Sequence, residues 1–337
     1  MIGFSVFLHQ IDEEYIHTMA NAGFQKVFSS LQLGDNDRSS LEKLADVCKN
    51  HELQLALDVH PTVFEVFSIN FLQHIGIRCL RLDDGFNLAQ MKKLSKDFKI
   101  ILNASTVTEL FISELINSGV KPSQLEAWHN YYPHPFTGLS ERFFNSQNKF
   151  LHNYGIETAA FICGDTFRGP LFEGLPSLEQ HRKNSPFSSY LHLQNSVNHV
   201  LIGDLQLSLQ SIKQFKHFIV DDIIQLQIQL DKQFESIANT VYHNRPDEAE
   251  HVIRLLESRT IYKKNVSKGS ILERVTGDIT IDNSLFGRYE GEIQIVLKPL
   301  PSDERVNSIG KVIDRDITLL QHIHANQAIQ MEVLKWI

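Results

Sequence analysis

A TIM (β/α)8 barrel followed by a small β domain is the fold class that the sequence predicts. Three observations lead there. Up to about residue 218, short apolar runs alternate with amphipathic segments in eight successive units. Those runs are apolar on both faces, as strands buried in a parallel sheet must be. From about residue 219 the apolar residues recur with period two instead, the pattern of antiparallel strands with one solvated face. Eight units favour a closed barrel over a doubly wound open sheet, which would share the local pattern. The expected domains are 1–218, a barrel, and 219–337, a smaller β domain.

Taken in order, residues 2–8 read as the first strand and 13–22 as a helix. A strand at 24–29 precedes a helix at 39–50, with Ser39 or Ser40 as its cap. Residues 53–59, 77–82 and 98–103 repeat the strand pattern, with helices between them. Strands at 125–130, 156–162 and 199–203 complete the set. After strand six, Pro133 and Pro135 stiffen a loop, Gly138 fits a turn, and Ser140 fits a helix N-cap. Beyond 219, residues 226–230, 279–282 and 292–297 alternate as strands. Asn283 and Gly287 mark turns, Pro299 and Pro301 close a strand, and 244–248 reads as a loop. One or two helices accompany these strands.

The chain has 337 residues, of which 42% are hydrophobic and 21% charged, ordinary values for a globular protein with a sizeable core. Its net charge of −8 argues against nucleic acid or an anionic membrane as partner. Any phosphate on a ligand would need local arginines. Three widely spaced cysteines, Cys48, Cys79 and Cys163, fit reduced thiols. The first residues lack a basic region followed by a long apolar one, and no apolar run is long enough to span a bilayer. The expected compartment is the cytoplasm.

The strand ends carry the candidate chemistry. They present Ser5, Ser29 and Ser30, Asp58, Arg81 and Asp83, Asn103, His129 and Asn130, Asp165, and Gly203 with Asp204. One polar residue there is as readily a helix cap as a catalyst. A polar group at every end describes a hydrophilic cup suited to a sugar or sugar phosphate. Asp58 and Asp83 end neighbouring strands, so they could flank a glycosidic bond as acid and anionic partner. The plainer reading makes Asp58 the cap of a helix starting at Pro61, and Asp83 or Asp84 the cap of the helix after Gly85. Glu179 is a third candidate, although Ser177 ahead of it resembles an ordinary helix start. Arg168, in the glycine-rich loop after strand seven, is a candidate for an anionic group. The sequence has sixteen histidines but lacks the spacing of a zinc site, and lacks a dinucleotide fingerprint. Neither metal nor cofactor is expected. In the second half, Arg288, Arg305 and Asn307 are read as closing the cup from outside the barrel.

Several runs carry a resemblance to a known family. They are His129 to Pro133 with Thr137 to Ser140, Ile77 to Asp83, Gly169 to Arg182, Asn283 to Ile295 and Leu300 to Asn307. In combination these resemble the 6-phospho-N-acetylmuramidases of the MupG type, over nearly the whole chain. The resemblance implies a TIM barrel followed by a cyclophilin-like β domain. It also implies an intracellular exo-glycosidase acting in peptidoglycan recycling, on N-acetylmuramic acid 6-phosphate β-1,4-linked to N-acetylglucosamine. The partner is then a small phosphorylated amino-sugar disaccharide, with a homodimer left open. Assignment of the chemistry to Asp83 and Asp58, with Glu179 next, is inference from the strand ends and not part of the resemblance. The same holds for substrate contacts by Ser5, Arg81, Asn103, His129, Asn130, Tyr132, Arg168, Gly203, Arg288, Arg305 and Asn307. Other readings are a sugar-phosphate lyase, aldolase or isomerase, a non-catalytic carbohydrate binder, and a prolyl isomerase in the second domain. An aldolase would want a lysine at a strand end, and none of the eight ends has one.

Overall fold

The structure, a computed structural model, describes residues 1–31, 38–262, 265–270 and 272–334. The chain forms two compact units, Met1–Ile212 and Lys213–Ile337. The division falls inside a helix, a few residues before the change in sequence texture at 219.

Eight parallel strands close the first unit into a barrel: β1 (Ile2–Ser5), β2 (Lys26–Ser30), β3 (Gln54–Val59), β4 (Cys79–Leu82), β5 (Lys99–Asn103), β6 (Leu125–Trp128), β7 (Glu157–Ile162) and β8 (His199–Ile202). Pairing of β1 with β8, Gly3 opposite Leu201, makes the closure. β1 is shorter than the apolar run suggests, because Leu8–Gln10 turns into a 3-10 segment. Helices α1 (Glu13–Asn21), α2 (Arg38–Asn50), α3 (Val63–Val66), α4 (Ile69–His74), α5 (Leu88–Leu94), α6 (Glu109–Asn117), α7 (Glu141–Asn153), α8 (Pro186–Leu193) and α9 (Leu209–Asp221) connect or follow the strands. Local chemistry sets their starts. Asp12, Thr108 and Ser140 each accept the backbone N–H three residues on. Helix α2 begins at Arg38, so Ser39 and Ser40 lie in its first turn. The cap position before it is outside the described residues.

Side chains alternate along each strand, so every second residue points into the barrel. The middle is apolar and aromatic: Phe28, Cys79, Ile101, Trp128, Phe161 and Leu201 pack there. Phe28 and Phe161 meet edge to face at 5.3 Å. Two residues earlier on the strands the floor is charged. Lys26 is 1% exposed and lies 3.1 Å from the equally buried Glu126. Glu126 also meets Lys99 at 2.9 Å and accepts a hydrogen bond from Trp128 Nε1 at 2.7 Å. Burial would raise the pKa of Glu126, but His199, Lys26 and Lys99 outweigh it and hold the group well below the carboxylate range. Glu126, Glu157 and His199 could bring three metal-ligand atoms within 4.8 Å. The two lysines already supply the positive charge there, so a cation would meet repulsion.

The second unit is a seven-stranded sheet in the order β10-β15-β9-β14-β12-β13-β11. Its strands are β9 (Ile223–Leu230), β10 (Val241–His243), β11 (Val252–Arg254), β12 (Asp278–Asp282), β13 (Ile293–Val296), β14 (Val306–Val312) and β15 (Ala328–Val333). The sheet is antiparallel as expected except at one pairing, where β9 and β15 run parallel with Ala328 opposite Ile223. The long separation between those strands permits the crossover that a parallel pair needs. Gly287 adopts φ 57 and ψ −115 inside Ser284–Tyr289, a conformation reserved for glycine.

Candidate active site

The C-terminal ends of β2, β3, β4 and β6 converge on a buried polar network. Residue 58 faces inward because Ala56 does, and the same two-residue period brings in Ser30, Arg81, Asn103 and Asn130. Arg81 Nη1 donates to Asp58 Oδ1 at 2.8 Å, with the two side chains only 9% and 11% exposed. Arg81 Nη2 donates to Asn130 Oδ1, and Ser30 Oγ donates to Asp58 Oδ2 at 3.3 Å. Asp58 is therefore not a helix cap. Burial, with a smaller contribution from the charge of Asp83, pushes its pKa up; Arg81 and Ser30 oppose the rise. Arg81 Nε is buried and has no partner among the described residues.

Asp83 is half-buried, and no hydrogen bond or ion pair among the described residues engages its carboxylate. It does not cap a helix either, because Asn87 and Gln90 form the capping box of α5. The strand register opposes Asp58 to Arg81, so Asp83 lies two residues further along. The two carboxylates are staggered rather than level, with Cα atoms roughly 8 Å apart from the usual strand spacing and rise.

Two further groups sit at this mouth. The Tyr131 ring packs edge to face on Phe161 at 5.2 Å, and burial pushes the pKa of its hydroxyl up against the lowering influence of the Arg168 charge. The Arg168 guanidinium lies 4.1 Å over the Phe7 ring. Its loop is shaped by buried Asp204, which accepts from the backbone N–H groups of Gly164, Arg168 and Leu175. The mouth thus combines two carboxylates, two guanidiniums and a phenol.

Comparison with known proteins places the whole chain, not single residues, in a family. The N-terminal family model of 6-phospho-N-acetylmuramidases matches residues 2–217, and the C-terminal one matches 224–332. The chain belongs to the 6-phospho-N-acetylmuramidase family. It is a glycosidase. A crystal structure of a conserved Enterococcus faecalis protein of unknown function is 34% identical, with a TM-score of 0.92 over 99% of this chain and 96% of that one. An uncharacterised B. cereus protein is 26% identical, with a TM-score of 0.76 over 98% of this chain and 99% of that one. No curated protein matches the chain.

In this member of the family, Glu179 is fully hydrogen-bonded. Its Oε1 accepts from Phe136 N and Arg182 Nε, and its Oε2 from Gly138 N and Arg182 Nη2, at 2.6–2.9 Å. Those four bonds fill the carboxylate's lone pairs. That leaves the carboxylate no lone pair for a reacting atom in this structure. Ser177 does not begin a helix; it ties Asn130 O to Phe161 N. Arg182 adds bonds to the carbonyls of Tyr132, His134, Glu173 and Gly174, so one guanidinium holds the loops after β6 and β7. Arg182 chiefly, then the two backbone N–H groups, bring Glu179 down to about 2, against the pull of partial burial. A depressed carboxylate stabilises the fold above its unfolded pKa of 4.5 and loses that contribution as pH falls towards 2. We expect Arg182→Met to lose about 2–3 kcal/mol at pH 7. Denaturant unfolding should show the gap to the parent shrinking by pH 3. An equal gap at both pH values would separate Arg182 from the ionisation of Glu179.

The remaining expected contacts divide. Asn130 and Arg81 belong to the network. His129 does not: it is the outward residue beside Asn130, buried against α7. Its Nε2 pairs with Asn148 Oδ1 at 3.0 Å, and burial lowers its pKa to about 4. The strand's own alternation turns this side chain away from the mouth. Ser5 Oγ donates to Ile202 O at 2.8 Å, and Asn103 Oδ1 accepts from Ser105 N. At Gly203 a Cβ would lie 2.7 Å from Leu175 O, so this glycine permits a close chain crossing. Tyr132 contributes backbone bonds to Pro176 and Arg182.

In the second unit, Arg288 is exposed and donates to the Tyr289 hydroxyl at 2.7 Å. Arg305 pairs in bidentate fashion with Asp303. Asn307 is buried and bonds to Gly269 N, Asn283 Nδ2 and Ser267 O, which makes it a fastener of its own unit. Tyr131 and Arg182 went unchosen at the sequence level. Tyr131 lies beyond the strand, where the two-residue period no longer says which way a side chain points. Arg182 ends one of the runs that carry the resemblance, but no spacing there shows that it reaches the loop after β6.

Proposed function

We propose that this enzyme cleaves the β-1,4 bond between N-acetylmuramic acid 6-phosphate and N-acetylglucosamine, in the cytoplasm, as a step of cell-wall recycling. The observation that carries the reading is the buried Asp58–Arg81–Asn130 network with an unengaged Asp83 beside it. Glycoside hydrolysis needs one ionised and one protonated carboxyl about the bond. Asp58, whose contact with Arg81 opposes the rise that burial causes, is the anionic partner at C1 or its attacking water. Asp83 is the acid that protonates the departing oxygen as the C1–O bond breaks, and water supplies the hydroxyl that the muramic acid phosphate gains. The free, buried thiols of Cys48, Cys79 and Cys163 suit a reducing compartment. Among the described residues no helix is long and apolar enough to cross a membrane. We also assign the second unit to the cyclophilin-like folds, a reading supported by its largely antiparallel sheet.

The substrate proposed carries a phosphate and a lactyl carboxylate into a chain of net charge −8. Arg168 and Arg81 at the mouth are the local cations that offset them. A charge-assisted hydrogen bond contributes about 1.5–3 kcal/mol, so Arg168→Ala should lose roughly 10–150-fold in kcat/KM on the phosphorylated disaccharide. Loss on the unphosphorylated disaccharide should be much smaller. Parallel assays of both substrates test this. Equal turnover of the two by the parent enzyme would refute the phosphate requirement. Unchanged discrimination in the variant would remove Arg168 alone.

A further inference from the structure

Phe136 stands in the loop after β6, on the catalytic face of the barrel, and it is 92% exposed. Its backbone is left-handed, φ 66, a conformation that costs an L-residue energy and that glycine takes freely. The conformation is imposed: Glu179 Oε1 accepts the Phe136 N–H at 2.9 Å, Glu179 Oε2 accepts that of Gly138, and Arg182 fixes the carboxylate. A bulky apolar side chain is therefore held out into water on a braced, unfavourable backbone. Phe172, in the next loop, also has positive φ, but its ring lies 3.0 Å from where a Gly169 Cβ would be and so folds onto its own loop. No ring or cation contact among the described residues engages Phe136. Strain kept at an exposed position on a catalytic face points to a ligand contact rather than to packing.

We propose that Phe136 is the stacking platform for the second, uncharged sugar of the substrate, the leaving group. The inference rests on the function proposed above. The anionic sugar belongs with Arg81 and Arg168 inside the polar mouth. The neutral sugar then lies towards the rim, where the flat C–H face of a hexose suits an aromatic ring.

The test uses the full chain, with Phe136→Gly and Phe136→Tyr as variants. The substrates are the phosphorylated disaccharide and the methyl glycoside of the same phosphorylated sugar. Phe136→Gly should lose about tenfold in kcat/KM on the disaccharide and nothing on the methyl glycoside. Its thermal midpoint should hold or rise, because glycine relieves the backbone. Phe136→Tyr should keep parental activity on both. Unchanged disaccharide activity in Phe136→Gly, equal losses on both substrates, or a lowered thermal midpoint would each overturn the platform. Failure of the parent enzyme to cleave the disaccharide would overturn the function proposed above instead, and leaves the two failures distinct.

Discussion

Asp58→Asn and Asp83→Asn should each fold and lose at least about a hundredfold in turnover, and up to about 10⁴-fold, the range typical of a removed acid or base. Neither aspartate caps a helix or fills an apolar gap, but Asp58 is one side of a buried ion pair, so Asp58→Asn should also lower stability while Asp83→Asn should not. Asp58 accepts from Arg81 and Ser30 in a site that water hardly reaches. An asparagine there keeps one acceptor and loses the charge, so Arg81 is left facing a neutral partner. Asp83 has no hydrogen-bonding duty among the described residues, so its replacement should be the milder for stability. Turnover at saturating phosphorylated disaccharide, with circular dichroism to confirm folding, decides the matter. Two variants within tenfold of the parent would mean that the pair is structural. Burial pushes Asp58 up, so the pH at which the anion is lost should lie above that of an exposed aspartate. The acidic limb of the rate profile should report it.

The second large effect is expected far from that chemistry. Lys26→Met removes the ammonium 3.1 Å from Glu126 and leaves a carboxylate that is 2% exposed with fewer partners. Breaking one side of a buried pair costs about 3–5 kcal/mol, whereas replacing both sides by neutral groups of similar shape is often close to neutral. The double variant Lys26→Met with Glu126→Gln should therefore recover much of the loss, since glutamine still accepts from Trp128 Nε1. Urea unfolding of the parent, single and double variants measures both steps. A single variant within 1 kcal/mol of the parent would show that Lys99 and His199 suffice at the floor.

The barrel was legible because each strand is a short, doubly buried run, and such runs show in sequence as apolar blocks. Asp58, Arg81 and Asn130 were legible for the same reason, as the polar ends of those blocks. Orientation was harder. Counting inward from Trp128 would have placed His129 outside, but only a known inward residue supplies the phase. The surroundings of Glu179 were not legible, because its partners come from residues 136, 138 and 182, a set that no local pattern connects. The parallel pairing of β9 with β15 was hidden likewise, since residues 223 and 328 are joined only by topology.

The Arg182 guanidinium has a consequence for motion. Its bonds run to carbonyls in the loop after β6 and in the loop after β7, so neither loop can lift without breaking bonds that also hold the other. Such segments open as one cooperative unit, with a shared opening free energy. The rim over β6 and β7 therefore behaves as a rigid jaw rather than as two independent flaps. Any breathing that admits a substrate or frees a product falls to the other segments around the mouth.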